Sequence, residues 1–456
     1  MRWSMLWWND MILSGRPVVR SSGRLGSYPW TGGLAVGLVL FLAGCGDQPA
    51  SPVPTVVSPG SAAEIVWTNH TASRFEPCGC TAGMYGGLIR RSALCPESEH
   101  ANTLSLEGGG WSAGAEDHHV LRSGAYLAAL PTAGVDAIGL GRAEVALGAT
   151  ILGPLIAAAP LPIVCANLKD AAGTPIGRPL VRITAGGTRF AVTGVVSGEA
   201  TGPGLVASDP GEALSRIARD AGQDSLVVLA DLDEATMTDL ARRVPTIAVI
   251  VGGAVSGPTE RPLVVGTTRI IAQANHGKTL GRWTLGTLDC RFQLLDERQP
   301  RDPRQEAQAK ALQALFARTP LAADRAIPVP PGTPGYVGTQ ACTACHSAAA
   351  AKHATTAHAK AMASLQHRDM AQDPDCLRCH VTGLGRPGGW FRQDPRPDLA
   401  GVGCESCHGP GAAHLASAGK EPLIPVSPAT CVGCHDSENS PHFAYSAYWP
   451  KIIHGK

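Results

Sequence analysis

The chain has 456 residues, enough for two or three domains, and a formal net charge of +1. A balance so close to neutral argues against a nucleic-acid or acidic-surface partner, and leaves the partner class to be read from local motifs. Charged residues make up 16 % of the chain and aromatic residues 5 %, so its sparser stretches lack the side chains from which a large core is built.

At the amino end Arg2, Arg16, Arg20 and Arg24 precede the apolar run from Gly33 to Ala43. Basic residues before a short apolar run predict a signal peptide over residues 1–45, with an overlong basic region if translation starts at Met1 rather than Met11. The run is too short to span a bilayer comfortably. It ends in Leu42-Ala43-Gly44-Cys45, which looks like a bacterial lipoprotein cleavage box, with Cys45 as the lipidated residue. The alternatives are an ordinary cleaved signal with an incidental Cys, or a start site placed too early. Residues 46–62, Ser/Pro-rich from Gln48 to Ser61, read as a flexible tether. The expected location is the periplasm or another extracytoplasmic face, with the lipid holding the protein to a membrane.

Over residues 63–318 short β-branched runs alternate with Ala-rich helical stretches, among them Ala133 to Leu140, Pro162 to Ala166, Ser225 to Leu229 and Thr246 to Val251. That alternation predicts an α/β domain closed by a helix from Arg304 to Arg318. Residues 319–335, with Pro328, Pro330, Pro331 and Pro334, read as a stiff linker.

Within this domain, Thr68-Asn69-His70, Glu76-Pro77-Cys78-Gly79-Cys80 and Gly86-Gly87-Leu88-Ile89-Arg90-Arg91 resemble the opening of calcineurin-like metallophosphoesterases of the 5′-nucleotidase group. Leu106-Glu107-Gly108-Gly109-Gly110 stands where that family has Leu-Asp-Ala-Gly-Asp, and Leu140-Gly141-Arg142-Ala143-Glu144 where it has Leu-Gly-Asn-His-Glu. Val228 to Asp231 and Val251 to Ala254 match two later strand ends that normally finish in His. A two-metal phosphatase needs carboxylates and imidazoles holding ions about 3.5–4 Å apart. The resemblance puts His70, Ala72, Gly110, Arg142, Ala143, Asp231 and Ala254 at the ligand positions, so it implies a scaffold without metals or catalytic residues, and phosphoesterase activity is not expected. A phosphohydrolase fused to the next domain is the alternative that this pattern disfavours.

Cys78, Cys80, Cys95, Cys165 and Cys290 have two readings. One or two disulfides suit an oxidising compartment, with Cys78 or Cys80 paired to Cys95; the other reading is a metal or redox role for Cys78 and Cys80. His118, His119 and His276 read as surface or satisfied histidines.

Residues 336–456 hold four copies of Cys-x-x-Cys-His: Cys342, Cys345 and His346; Cys376, Cys379 and His380; Cys404, Cys407 and His408; Cys431, Cys434 and His435. This is the attachment signature of c-type haem: two thiols add to the vinyl groups of one porphyrin, and the adjacent imidazole binds iron from one face. A zinc knuckle explains one such pair but not a His in the same following position four times. Four covalent haems are therefore expected, forming much of this domain's core. His353, His358, His367, His414, His442 and His454 are available for the second faces, against two thioethers, Met362 and Met370. Two imidazoles per iron favour low potentials.

The same segment resembles the tetrahaem cytochrome family typified by the electron acceptor of hydroxylamine oxidoreductase, in Thr355-Thr356-Ala357-His358-Ala359, in Cys376 to Gly383, in Gly403 to Gly411 and in Tyr448 to Lys456. The resemblance implies packed haem pairs with mostly His/His irons, one iron being a candidate for five-coordination. His358, His414 and His454 are the expected distal ligands and His353 the fourth candidate, with His367 and His442 as surface groups. The expected architecture is two domains, an α/β metallophosphoesterase-like sandwich followed by a mostly α, loop-rich multihaem cytochrome c domain. The expected role is an electron carrier whose partners are other redox proteins or quinone-linked carriers. A haem-based reductase or oxidase of a small nitrogen or sulfur compound is the alternative.

Overall fold

The computed structural model describes residues 62–77, 84–255, 257–273, 276–393 and 396–455. The expected signal segment with Cys45, the tether up to Ser61, and Cys78 and Cys80 lie outside them. No helix among the described residues is long and apolar enough to cross a membrane.

In chain order the strands are β1 (Glu64–Thr68), β2 (Thr103–Glu107), β3 (Ala137–Ile138), β4 (Leu168–Asp170), β5 (Val181–Ala185), β6 (Thr188–Val195), β7 (Thr201–Gly202), β8 (Leu205–Ala207), β9 (Ser225–Ala230), β10 (Ile247–Gly252), β11 (Leu263–Val265), β12 (Thr268–Ala272), β13 (Thr279–Thr284) and β14 (Arg291–Leu294). They form a mixed sheet β14-β13-β1-β2-β3, a second mixed sheet β11-β12-β10-β9-β6-β5, and a small sheet β4-β8-β7. In the first, β1, β2 and β3 are parallel; in the second, β6, β9, β10 and β12 are parallel, with antiparallel edges.

The central strands read Ser-Leu-Val-Val-Leu-Ala and Ile-Ala-Val-Ile-Val-Gly, nearly continuous apolar runs of the kind that parallel strands covered on both faces require. Strand periodicity then divides them. Val227, Leu229, Val249 and Val251 face Ile65, Trp67, Leu104 and Leu106 of the first sheet in one shared core. Val228, Ala230, Ile250 and Ile270 point the other way, against Leu214, Ile217, Met237 and Leu240. Those four lie on helices Pro210–Ala221 and Glu234–Arg243, whose first turns are capped by Asp209 accepting from Glu212 N and Asp233 accepting from Thr236 N. The result is an α/β sandwich, with the expected runs Ser225 to Leu229 and Thr246 to Val251 at its centre.

After helix Pro303–Arg318 the architecture changes to short helices. The buried apolar cluster there is Leu365, Leu377, Val381, Trp390 and Leu399, far smaller than either core above. The expected stiff linker 319–335 is packed against the carboxyl-terminal segment. Thr319, Leu321 and Asp324 are buried, and the Ile327 carbonyl accepts from Gly388 N at 2.8 Å. Arg392 grips the Asp324 carboxylate with Nε at 2.6 Å and Nη2 at 3.0 Å, both side chains almost fully buried. The same guanidinium donates to the carbonyls of Gln372 and Thr319. Removing one member of a buried pair leaves an uncompensated charge that costs about 3–5 kcal/mol. Arg392→Ala is therefore expected to free the 319–335 stretch, measured as new protease cleavage there under conditions in which the wild-type chain stays intact.

Candidate functional sites

Five positions at which the sequence resemblance places metal ligands cluster at the carboxyl ends of parallel strands. His70 follows β1, Gly110 follows β2, Arg142 opens a helix after β3, Asp231 follows β9 and Ala254 follows β10. Strand ends of this kind are where open α/β sheets usually place their ligand groups. Here the imidazole and carboxylate bind each other: His70 Nε2 lies 2.6 Å from Asp231 Oδ1, and Arg142 N donates to Asp231 Oδ2 at 3.3 Å. A Cβ at Gly110 would overlap the His70 ring, and one at Gly253 would sit 3.3 Å from His70 Nε2. The His70 ring thus occupies space that a carboxylate side chain at position 110 would need. With only His70 and Asp231 offering ligand atoms among these five positions, and those two paired, the residues do not fit a two-metal centre.

Below the pair, Glu144 is fully buried and its carboxylate accepts from Gly110 N, Ser112 N and Gly141 N. Burial pushes it up to about 7 despite those three donors. It ties the loops after β2 and β3 together, a positioning role for the Glu of Leu-Gly-Arg-Ala-Glu. Glu107 is equally buried, accepting from Thr68 Oγ1 at 2.6 Å and Thr71 Oγ1 at 2.7 Å.

The cytochrome segment closes on this side of the sandwich through charge. Arg74 Nη1 binds Glu438 Oε1 at 2.6 Å, and His276 Nδ1 lies 4.0 Å from the same oxygen. Arg122 reaches Asp373 Oδ1 at 2.5 Å and also binds Asp375. His118 and His119 turn their Nε2 atoms to Asp375 Oδ1 at 3.0 and 2.9 Å. The expected satisfied histidines are thus satisfied by the neighbouring domain.

Cys95, Cys165 and Cys290 are buried free thiols, and no disulfide joins the described residues, which corrects the disulfide expectation for Cys165 and Cys290. Burial pushes the Cys165 thiol up to about 11 and the Cys290 thiol up to about 12, so both remain protonated.

In the carboxyl-terminal segment each Cys-x-x-Cys-His word lies on or beside a single helical turn: Cys342 in Thr339–Thr343, the second motif in Pro374–His380, the third in Cys404–His408, and Cys431 in Pro428–Val432. The i to i−4 bonds from His346 N to Cys342 O and from His435 N to Cys431 O continue that turn to the histidine. Three motif histidines face histidines brought from elsewhere in the segment. His346 and His414 have ring centres 6.1 Å apart, His358 and His435 6.1 Å, and His408 and His454 6.0 Å. Two imidazoles bound to one metal from opposite sides, with nitrogen bonds of about 2 Å, place their ring centres roughly 6 Å apart. The geometry of these pairs therefore fits a bis-imidazole iron.

Hydrogen bonding sorts the remaining histidines. His380 Nδ1 donates to the Ala361 carbonyl at 2.8 Å and His414 Nδ1 to the Glu421 carbonyl at 2.6 Å. Both arrangements fix the tautomer that leaves Nε2 as a lone-pair donor. His353 has the opposite arrangement: its Nε2 donates to the Val402 carbonyl at 2.9 Å. No motif histidine ring lies against His353 as one does against His358, His414 and His454 among the described residues. His367 and His442 are exposed. Burial, then the neighbouring imidazole of His435, lowers the His358 value and favours the neutral form that can bind a metal.

Sequence reasoning missed two supports of this cluster. Phe443 stacks on His435 at 4.7 Å and Tyr448 meets it edge-on at 5.8 Å. Glu405, inside the third motif, accepts from Val337 N, Gly338 N and Gly411 N and so pins the start of the segment beneath the third motif. The signal available for it was an acidic residue inside the third motif.

The His70 and Asp231 pair carries a pH signature. The Asp231 hydrogen bond raises His70 against the opposing effect of burial. At Asp231 burial acts upward, but the His70 hydrogen bond and charge outweigh it and hold the carboxyl low. The aspartate contribution to stability is present above its ordinary 3.8 and is lost as pH falls through the depressed value. The histidine contribution is complete below its ordinary 6.5 and is lost as pH rises through the elevated value. Asp231→Asn should cost about 1–3 kcal/mol between these limits and flatten both slopes, measured by urea denaturation of the sandwich across pH.

Comparison with known proteins matches residues 341–409 to the family described as cytochrome c554 and c-prime. Cytochrome c-554 of Nitrosomonas europaea is 42 % identical over 118 residues, 23 % of this chain and 46 % of that protein. The chain thus spans about half the length of that curated relative. Among solved structures, a 5′-nucleotidase precursor from Thermus thermophilus is similar at 24 % identity and a TM-score of 0.49, over 56 % of this chain and 59 % of that one. The calcineurin-like phosphoesterase YfkN from Bacillus subtilis is similar at 18 % identity and a TM-score of 0.47, over 56 % of this chain and 98 % of that one. The carboxyl-terminal segment is thus similar to cytochrome c554, a resemblance that implies covalently bound c-type haem.

Proposed function

We propose that the protein is an exported, lipid-anchored electron carrier that relays single electrons through four covalent haems, beside an α/β domain that does not hydrolyse phosphoesters. The observation that carries this reading is the set of three histidine pairs with ring centres 6.0–6.1 Å apart, each containing one Cys-x-x-Cys-His imidazole. Bound there, c-type haem supplies a one-electron ferric/ferrous couple, which two imidazoles set at low potential.

The chain's own residues do the rest. Cys342 with Cys345, Cys376 with Cys379, Cys404 with Cys407 and Cys431 with Cys434 offer the thioether links, while His346, His380, His408 and His435 are the proximal ligands. His414, His358 and His454 would hold an iron together with His346, His435 and His408 respectively. The carbonyls of Ala361 and Glu421 orient His380 and His414, and the Phe443 ring keeps the His435 imidazole in place. The thiols of different motifs approach one another, Cys342 to Cys404 and Cys379 to Cys434. That closeness supports haems packed near enough for direct transfer between them. Redox proteins or quinone-linked carriers are the partners such a relay requires, with the lipid on Cys45 holding it at the membrane.

The test is the mass and spectrum of the full chain matured in a host that attaches c-type haem. The expected mass exceeds that of the polypeptide by four haems, and electron paramagnetic resonance shows low-spin bis-imidazole iron. Thiols bare or holding zinc would overturn the reading, and carbon monoxide binding to reduced protein with turnover of a small nitrogen compound would favour the reductase instead. His414→Met should raise the midpoint potential of one haem while leaving the others in place, since thioether ligation raises potential. No nucleotide hydrolysis is expected with added manganese or zinc.

A further inference from the structure

Outside both sites, a cluster of metal-binding side chains lies at the contact between the two domains. His118 and His119 open the helix Asp117–Ala129, and Asp375 precedes Cys376 in the cytochrome segment. His118 Nε2 and His119 Nε2 lie 3.0 and 2.9 Å from one oxygen, Asp375 Oδ1, and their ring centres are 4.0 Å apart. Adjacent helical residues diverge by about 100° around the axis, so both rings bend toward a common point. Around a tetrahedral ion with bonds of about 2.0–2.1 Å, neighbouring ligand atoms lie roughly 3.3 Å apart, close to the spacing of these donors.

The surroundings match what holds such ligands. Nδ1 of His118, the nitrogen facing away from Asp375, lies 3.5 Å from Asp117 Oδ1 and 3.6 Å from Glu116 Oε2, carboxylates of the type that orient a metal-bound imidazole. Arg122 takes the other oxygen of Asp375 and also binds Asp373, which fixes the carboxylate while leaving Oδ1 to the histidines. Four carboxylates, of Glu116, Asp117, Asp373 and Asp375, outnumber the two guanidiniums of Arg122 and Arg378 that act on this cluster. The local field therefore favours a cation. Two imidazoles and a carboxylate suit zinc or a similar transition ion rather than calcium or magnesium.

We propose that His118, His119 and Asp375, with water as fourth ligand, bind one zinc-class divalent ion that staples the α/β domain to the cytochrome segment beside its second haem motif. The ion is structural and takes no part in electron transfer.

The probe is zinc sulfate added to the haem-loaded full chain after dialysis against a chelator. Zinc per chain is read by elemental analysis, and its ligands by zinc-edge X-ray absorption, which iron does not obscure. One zinc with nitrogen and oxygen neighbours is expected in the wild-type chain, with affinity falling roughly tenfold or more in His119→Gln. Zinc should also raise the thermal midpoint of the wild-type chain and leave that of His118→Ala/His119→Ala unchanged. Unaltered haem absorption shows that each variant is folded. Should the variants bind zinc as tightly as wild type, or should sulfur dominate its ligand shell, the metal sits elsewhere and the staple is refuted. A midpoint that drops equally in the variants with and without zinc would show an ion-pair contact only and would equally overturn it.

Discussion

Two imidazoles held about 6 Å apart from remote parts of the chain are the constraint on which the carboxyl-terminal architecture depends. The segment buries five larger apolar side chains in its cluster, each worth about 1.5–3 kcal/mol. Ordering a residue's backbone costs about 1–2 kcal/mol, and the segment runs from residue 336 to the end of the chain. Side-chain burial alone falls well short of that cost. The pairs His346 and His414, His358 and His435, and His408 and His454 each join distant points of the chain. A group bound between the members of each pair would close those loops and fill the space that Leu, Ile and Phe fill in the sandwich. In such a design the prosthetic group and the fold specify each other, because ligand binding and folding draw on the same free energy.

The sandwich follows a different logic. Polar groups gathered at buried strand ends must be satisfied by one another. Here Asp231 takes the His70 imidazole and the Arg142 amide, while Glu144 takes three backbone amides. Gly110 and His70 are sterically linked: the ring at 70 is admitted because position 110 has no side chain. Changes at metal-ligand positions of this kind are correlated through space, and restoring one carboxylate would collide with the group that replaced it.

Legibility in the sequence tracked how local the physics was. The alternation of apolar runs with Ala-rich stretches placed Ser225 to Leu229 and Thr246 to Val251 in the strands β9 and β10 because strand periodicity and continuous burial are written within five or six residues. The Cys-x-x-Cys-His words are local in the same sense, each being one helical turn. His414, His358 and His454 face motif histidines, but their choice rested on resemblance, since which histidine meets which motif is a long-range property. The partner of His353 is long-range in the same way: the Val402 carbonyl that takes its Nε2 lies 49 residues away. The packing of the linker at 319–335 was not legible because proline content reports stiffness, whereas the pairing of Asp324 with Arg392 is set by a segment 68 residues downstream. Phe443 carried no pattern at all, and Glu405 only its place inside a motif.

The contact between the domains shows why the fusion is more than a tether. Arg74 with Glu438, Arg122 with Asp373 and Asp375, and the His118 and His119 imidazoles with Asp375 all fix the stretches that carry the second and fourth motifs. Asp373 caps Pro374–His380, the helix holding Cys376 and Cys379, so its partner Arg122 acts on the orientation of a haem-attachment turn. Electron transfer between redox centres depends on their separation and orientation, and a rigid base for two of the four motifs limits variation in both. A flexible linker would leave the cytochrome segment to set its geometry alone. Polar contacts rather than apolar ones suit this joint, because charge pairs define direction and register, whereas apolar surfaces of comparable area tolerate sliding. The α/β domain thus bears on the carboxyl-terminal segment through the placement of its second and fourth Cys-x-x-Cys-His turns.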